Sequence, residues 1–343
     1  MASLGEFDFI GQFLKSQAAQ GQSFFASPSA LGIGDDAALI PPLPAGEQMV
    51  VATDMLVEGR HYRTDVDPAS LGHKVLAVNL SDLAAMGARP VAFTLAAALR
   101  SLDQAWLSRF LSGLFDLAKS TQCPLIGGDT VGLPKDAPQS FSVTVLGAVP
   151  QGKALLRSGL SAGDDLWVSG NLGDAAYAVS RWVADPKLDW PTPRLALGHR
   201  LQGVASAAID ISDGLNAEIR HLLVESTTRG GVPLSAEIDW AALPLGPSLV
   251  SACQNGALSE DRARVFAATG GDEYELLFAA SVSARASIDA MGRSLSLPLT
   301  RVGSIAAAAT SACEIRWLDR RGQPIPQELA AECGQGGFDH FKS

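Results

Sequence analysis

The sequence predicts an α+β protein of two domains, and three observations carry that reading. The chain has 343 residues, which is long for one hydrophobic core and suits two. Apolar runs of strand length alternate with helical patterns in both halves, but the first half also sets strands side by side, as α+β proteins do and doubly wound parallel sheets do not. Around residues 150–163 the texture changes to Gly, Pro and Ser. The boundary is placed there, with an N-terminal α+β domain over 1–150 and a C-terminal α/β domain over 151–343.

In chain order, Phe9, Ile10, Phe13 and Leu14 share one stripe and predict a short amphipathic helix over 6–20. A glycine turn, Gly32-Ile33-Gly34-Asp35-Asp36, leads into a predicted strand at 37–40, stopped by Pro41-Pro42. A second strand, 49–52, delivers Thr53 and Asp54 at its end. Residues 70–86 read as a helix with Ser70 as N-cap, Gly87 past its end and Pro90 beyond. Leu76, Leu80 and Leu83 mark its buried side, while Asn79 and Asp82 share another face. A strand at 91–99 follows. Ser101-Leu102-Asp103-Gln104 then reads as a capping box opening a helix to about Ser120. Strands at 124–126 and 141–149 complete the half, with Gly127-Gly128-Asp129 at the tip of the first. In the second half the pattern predicts a strand at 166–168 and helices at about 173–184 and 193–206. A short strand at 208–211 ends in an acidic turn, a helix covers 214–225, and alternation continues through Trp317. No low-complexity segment and no 20–50-residue repeat is visible.

Composition narrows the function classes. The formal net charge is −10 and no Lys/Arg cluster is present, which argues against a nucleic-acid partner. Small phosphate ligands stay open if metal ions supply the positive charge. The four cysteines, Cys123, Cys253, Cys313 and Cys333, form no CxxC pair and fit reduced cytosolic thiols. No basic n-region with an apolar h-region opens the chain, and no apolar run reaches the ~20 residues of a membrane helix. A cytoplasmic protein without a membrane partner is expected.

Five acidic turns carry the chemistry: Asp35-Asp36, Thr53-Asp54, Asn79-Leu80-Ser81-Asp82, Gly127-Gly128-Asp129 and Asp210-Ile211-Ser212-Asp213. Each alone is an ordinary turn or capping acid. Together they offer oxygen ligands with few basic groups, as Mg²⁺ ions shared with phosphorylated ligands require, and they predict one Mg²⁺–phosphate site. The last run is the most specific, because it leads into a helix N-terminus that also suits a phosphate. Two other motifs fail on context. Residues 147–154 nearly spell a P-loop, but Ala154 replaces the Mg²⁺-binding hydroxyl and Pro150 removes a cradle N–H. Gly270-Gly271-Asp272-Glu273-Tyr274 resembles the signature of diguanylate cyclases, yet the nearest match to their upstream Asp-x-Asp-x-Phe-Lys segment, Phe338 to Lys342, lies downstream in the wrong order. His61 and Arg157 read either as phosphate or substrate contacts or as ordinary surface residues. No segment partners a cysteine or serine for covalent catalysis.

Taken in register, these residues resemble the thiamine-monophosphate kinases. The blocks are 32–36 (GIGDD), 53–59 with His61, 77–87 (AVNLSDLAAMG), 127–130 (GGDT), Arg157-Ser158-Gly159, 209–215 (IDISDGL), 270–277 (GGDEYELL) and 337–341 (GFDHF). The resemblance implies the aminoimidazole-ribonucleotide-synthetase-like fold, with an N-terminal α+β domain that holds metal and ATP and pairs with a second subunit, and a C-terminal α/β domain. It implies the reaction of ATP with thiamine monophosphate to give ADP and thiamine diphosphate, the last step of that cofactor's synthesis. Carried over by motif, Asp36, Thr53, Asp54, Asp82, Asp129, Asp210 and Asp213 would hold Mg²⁺, with Asp54, Asp82 and Asp213 at the reacting phosphates. Gly128, Asp129, Arg157 and Ser212 would contact ATP, and His61, Asp272 and Phe338 would line the thiamine monophosphate site. Three positions depart from the family pattern. Ala52 replaces a hydroxyl residue before Thr53-Asp54, Asp272-Glu273 reverses the usual Glu-Asp order, and Phe338 replaces Tyr or Trp.

The expected mechanism is direct in-line transfer. The acceptor phosphate is anionic at neutral pH, so no general base is needed, and charge neutralisation and positioning carry the rate. The alternatives are a sister synthetase of the superfamily (selenophosphate or aminoimidazole ribonucleotide), a diguanylate cyclase, or a Mg²⁺–nucleotide-binding protein without catalysis. The first is disfavoured in its selenium form by the lack of an N-terminal Cys-Lys segment.

Overall fold

The computed structural model describes residues 14–15, 23–230, 232–308 and 313–337. Nearly all of the helix predicted over 6–20, and Phe338, lie outside the described residues. The chain divides into two compact units, Met1–Leu83 with Ala88–Gly152, and Ala84–Gly87 with Lys153–Ser343.

The first unit holds a four-stranded sheet of β1 (Glu47–Val57), β2 (Arg89–Leu99), β3 (Leu125–Gly132) and β4 (Ser140–Pro150), with helices α1 (Pro68–Ala85) and α2 (Gln104–Ser120). The spatial order is β1-β4-β2-β3. The β2–β3 pair, joined through α2, is parallel, and the other neighbours are antiparallel. Strand alternation explains the core. Leu56, Phe93, Leu95, Phe141, Val143 and Val145 fall on one face and are all buried. There the Phe141 ring stacks on Phe110 of α2 at 4.7 Å. The other face carries Val51, Thr53 and Met55, all exposed, with Thr144 opposite Thr53 and Thr94 opposite Thr144.

Several predicted boundaries move, each for a tertiary reason. The 37–40 segment is not a strand: Leu39 makes only an isolated bridge to Leu31, and the prolines at 41–42 withhold further donors. β1 runs on to Val57 because it pairs with β4 over its whole length, so Thr53 and Asp54 are mid-strand. Asp67, not Ser70, caps α1 by accepting the Ala69 amide at 3.0 Å, with Pro68 at the first helical position, where its missing N–H costs nothing. Asp103, not Ser101, caps α2 through the Trp106 amide. The Gly127-Gly128-Asp129 run lies inside β3, paired with Thr94 to Ala96 of β2.

The second unit is a six-stranded sheet in the order β10-β7-β9-β5-β8-β6. Its strands are β5 (Asp165–Ser169), β6 (Ala205–Asp210), β7 (Leu234–Asp239), β8 (Leu276–Ala280), β9 (Leu299–Ala307) and β10 (Ile315–Leu318), and only β7–β10 pair in parallel. Its helices are α3 (Asp174–Arg181), α4 (Pro186–Asp189), α5 (Leu195–Leu201), α6 (Leu215–Gly230), α7 (Pro247–Gln254), α8 (Glu260–Thr269), α9 (Arg285–Leu295) and α10 (Gln327–Gln335). β8 is buried on both faces: Leu277 and Ala279 join one apolar cluster, Leu276 and Phe278 the other. That is why it reads as an unbroken apolar run. The helix predicted at 193–206 ends at Leu201, since β6 starts at Ala205. α6 is longer than the predicted 214–225.

Candidate active site

Four of the five acidic turns belong to the first unit and the fifth to the second. At the first turn, Asp35 Oδ1 accepts the Asp36 amide at 3.0 Å. Asp35 therefore ties the turn, and the Asp36 side chain is left exposed. Residues 34–38 and 127–130 both line a cavity of about 640 Å³, whose apolar lining includes Leu95, Leu107, Phe110 and Phe141. Gly128 has φ +155°, and a Cβ there would collide with the Leu95 carbonyl, so only glycine lets β3 lie this close to β2. The exposed Asp129 follows it. An apolar cavity of this size bordered by a few polar groups is the usual form of a small-ligand site.

Asp54 lies on an edge strand. Its amide donates to Asn79 Oδ1 at 2.8 Å, and Asn79 Nδ2 donates to the Val75 carbonyl at 3.0 Å. The acid is thereby tied to α1 one turn before Asp82. Between Ser70 and Ala85 only His73 and Asp82 are not buried, so Asp82 is the acid that α1 presents. Thr53 is not brought together with Asp54. It points to the opposite sheet face, where its hydroxyl meets Thr144 Oγ1 at 2.8 Å.

His61 sits in a turn closed by the Gly59 amide on the Tyr62 carbonyl at 2.8 Å. Its Nδ1 accepts the Val57 amide at 3.0 Å, which puts the ring proton on Nε2. Below the turn, Glu58, 7% exposed, accepts from Arg100 Nη2 and the Gln139 amide, both at 2.9 Å. The Arg100 guanidinium holds the Glu58 carboxyl below the usual carboxylate range. Sequence reasoning missed this clamp, because its partners are 42 residues apart and leave no local signal.

In the second unit β6 ends at Asp210, buried to 5% exposure, and the chain turns through Ser212 and Asp213 into α6. The 270–275 segment is stapled to this turn. The Ile211 amide donates to the Glu275 carbonyl, the Tyr274 amide to Ile211, and the Asp272 amide to Ser212, each at 2.8 Å. A Cβ at Gly271 would collide with the Ser212 carbonyl, so glycine is required for the two backbones to touch. A further acid joins the turn. Glu218 of α6, 3% exposed, accepts the Asp213 amide at 3.1 Å and lies 3.5 Å from Ser212 Oγ. Burial, with the nearby Asp210 and Asp213 charges, pushes its pKa up to about 7, while Arg157 opposes the rise. An acid in the first turn of the predicted helix was the available signal for it. Arg157 is exposed, on a loop pinned by Ser226 Oγ, which accepts the Gly159 and Leu160 amides at 3.1 Å.

Behind the segment lies a buried polar network. Glu273, 1% exposed, accepts the Gly173 amide at 2.7 Å, and burial pushes its carboxyl up to about 8. Glu275 accepts from Ser169 Oγ at 2.6 Å and from Arg194 Nε at 2.7 Å, with Lys187 alongside. The cations outweigh its burial and hold it below the usual range. The reversed acid order therefore places the longer side chain inward and leaves Asp272 partly exposed.

Among the described residues, no three His, Cys, Asp or Glu side chains form a group able to hold a metal ion by themselves. The donors present are nevertheless hard oxygens. Carboxylates such as those of the exposed Asp36 and Asp129 suit Mg²⁺, which is usually held by one or two carboxylates plus the phosphates of its ligand.

Comparison with known proteins fits this geometry. Residues 34–149 match the family model "AIR synthase related protein, N-terminal domain". The thiamine-monophosphate kinase of Escherichia coli K12 is 38% identical over 324 residues, covering 91% of this chain and 92% of that protein. The crystal structure of thiamine-monophosphate kinase from Stenotrophomonas maltophilia is 39% identical with a TM-score of 0.78, covering 94% of this chain and 99% of that one. A ThiL structure, complexed with AMPPCP and TMP, is 25% identical with a TM-score of 0.70, covering 98% and 97%. With one fold and near full-length identity above 30%, the chain belongs to the thiamine-monophosphate kinase family.

Proposed function

We propose that this protein transfers the γ-phosphoryl group of ATP to a phosphate oxygen of thiamine monophosphate, giving ADP and thiamine diphosphate. The observation that carries the reading is the 640 Å³ cavity lined by Asp36, Gly128 and Asp129, in a chain whose relative was crystallised with an ATP analogue and TMP. The apolar lining at Leu107, Phe110 and Phe141 suits a nucleobase, and the glycine backbone at 127–128 lets phosphates approach. In the first unit, Asp36, Asp54, Asp82 and Asp129 are the magnesium ligands, with Thr53 contributing backbone oxygen only, since its side chain faces away. In the second, Asp210 and Asp213 take that role and Ser212 and Arg157 contact the nucleotide. Bound magnesium supplies the positive charge that offsets two polyanions. His61 Nε2–H is set to donate to the acceptor phosphate, and Asp272, with Phe338, lines the thiamine site. The acceptor oxygen is already anionic, so these residues need only position and neutralise.

The protein acts as a homodimer through its N-terminal sheet, whose β1 side exposes Val51 and Met55 at 59% and 56%. It works in the cytoplasm, a reading supported by four free cysteines. Among the described residues no helix is long and apolar enough to cross a membrane.

The test is direct: incubate the purified protein with Mg-ATP and thiamine monophosphate and quantify thiamine diphosphate and ADP by chromatography. Equal amounts of both products are expected. No thiamine diphosphate at high enzyme would sink the reading, and a cyclic dinucleotide from GTP would replace it.

A further inference from the structure

The segment 270–274 has an unusual backbone. Asp272 and Tyr274 both take left-handed conformations, with φ +63° and +51°. An aspartate tolerates that region, but a bulky residue there is rare and is held only when its surroundings over-determine it. The surroundings here are clear. The Tyr274 amide is fixed to the Ile211 carbonyl and the Asp272 amide to Ser212, while Glu273 between them reaches inward to Gly173. The consequence is that Tyr274, 8% exposed, folds back so that its hydroxyl donates to Asp272 Oδ1 at 3.2 Å.

A buried tyrosine needs a partner for its hydroxyl, and a purely structural account would stop there. The geometry says more. Asp272 is the shorter of the two acids and is partly exposed. A donor fixed by a strained, doubly stapled backbone favours one orientation of that carboxylate. Such support of a contact residue by a second side chain is what holds a site within the tolerance that binding demands.

We propose that Tyr274 is a positioning residue for thiamine monophosphate, orienting the Asp272 carboxylate through its hydroxyl. This rests on the reading that Asp272 meets that substrate. Tyr274→Phe keeps the ring and removes only the donor. It raises KM for thiamine monophosphate about three- to tenfold, as loss of a hydrogen bond to a charged group does, with KM for ATP and the melting temperature unchanged. In a double-mutant cycle with Asp272→Asn the two effects are not additive, since both act through one carboxylate. Additive effects, or a Phe variant with wild-type KM beside an impaired Asp272→Asn, would overturn the proposal while leaving the substrate reading intact. A melting point that collapses in the Phe variant would make the hydroxyl structural and overturn it too. A wild-type KM in Asp272→Asn would remove the reading itself, and the proposal with it.

Discussion

Asp54 and Asp82 show how a single residue's role depends on its anchor. Asp54 is held by its own amide on Asn79, and Asp82 is one of two unburied residues in the 70–85 stretch of α1. Neither carboxylate is free to drift with a loop. Replacing either by Asn keeps the shape and removes the charge, so kcat is expected to fall at least about a hundredfold. Lys153→Ala, on an exposed turn after β4, is expected to change kcat less than about twofold, as exposed surface substitutions do. Steady-state rates with Mg²⁺ titrated check both; an inactive Lys153→Ala would revive the P-loop reading. The adjacent Thr53 is a neighbour of Asp54 in the chain only. Strand alternation separates them to opposite faces, a consequence of a strand longer than its local pattern suggested.

At the scale of elements, the 270–275 segment links β8 to the β6–α6 turn in front and to the Gly173 loop before α3 behind. Glu273 makes the second link, and its raised pKa gives that link a pH dependence. Between its ordinary value of 4.5 and the folded value of about 8, the folded protein retains a proton that the unfolded chain has released. Stability from this group therefore falls as pH rises through that window and is level below it. Glu273→Gln can still accept the Gly173 amide but cannot ionise. Its melting temperature relative to the wild type is expected to climb steadily from about pH 4.5 to pH 8; a flat difference would refute the assignment. Arg194 and Lys187 approach Glu275 from segments 81 and 88 residues away, so no local pattern could announce this network. The capping errors at α1 and α2 have a similar origin. Ser70 and Ser101 fit the local rule, but Asp67 and Asp103 sit where the packed helices begin.

For the molecule as a whole, the β1 side of the N-terminal sheet, where Val51 and Met55 are exposed, is where a second copy is expected. Val51→Glu puts a charge on that exposed edge strand and is expected to shift sedimentation from twice the chain mass to the monomer value, while a dimer that persists would move the interface elsewhere. The sequence by itself determined the α+β class, the family and the reaction, because these rest on short acidic and glycine motifs whose order along the chain is one-dimensional information. The tertiary structure alone decided which of those residues share a surface. It put Asp36 and Asp129 on one cavity with Phe110 and Phe141, turned Thr53 away from Asp54, and added Glu218 to the Asp210–Ser212–Asp213 turn. The physical reason is that facing, burial and charge coupling arise from strand register and from contacts made across tens of residues, and these appear only once the sheets have paired.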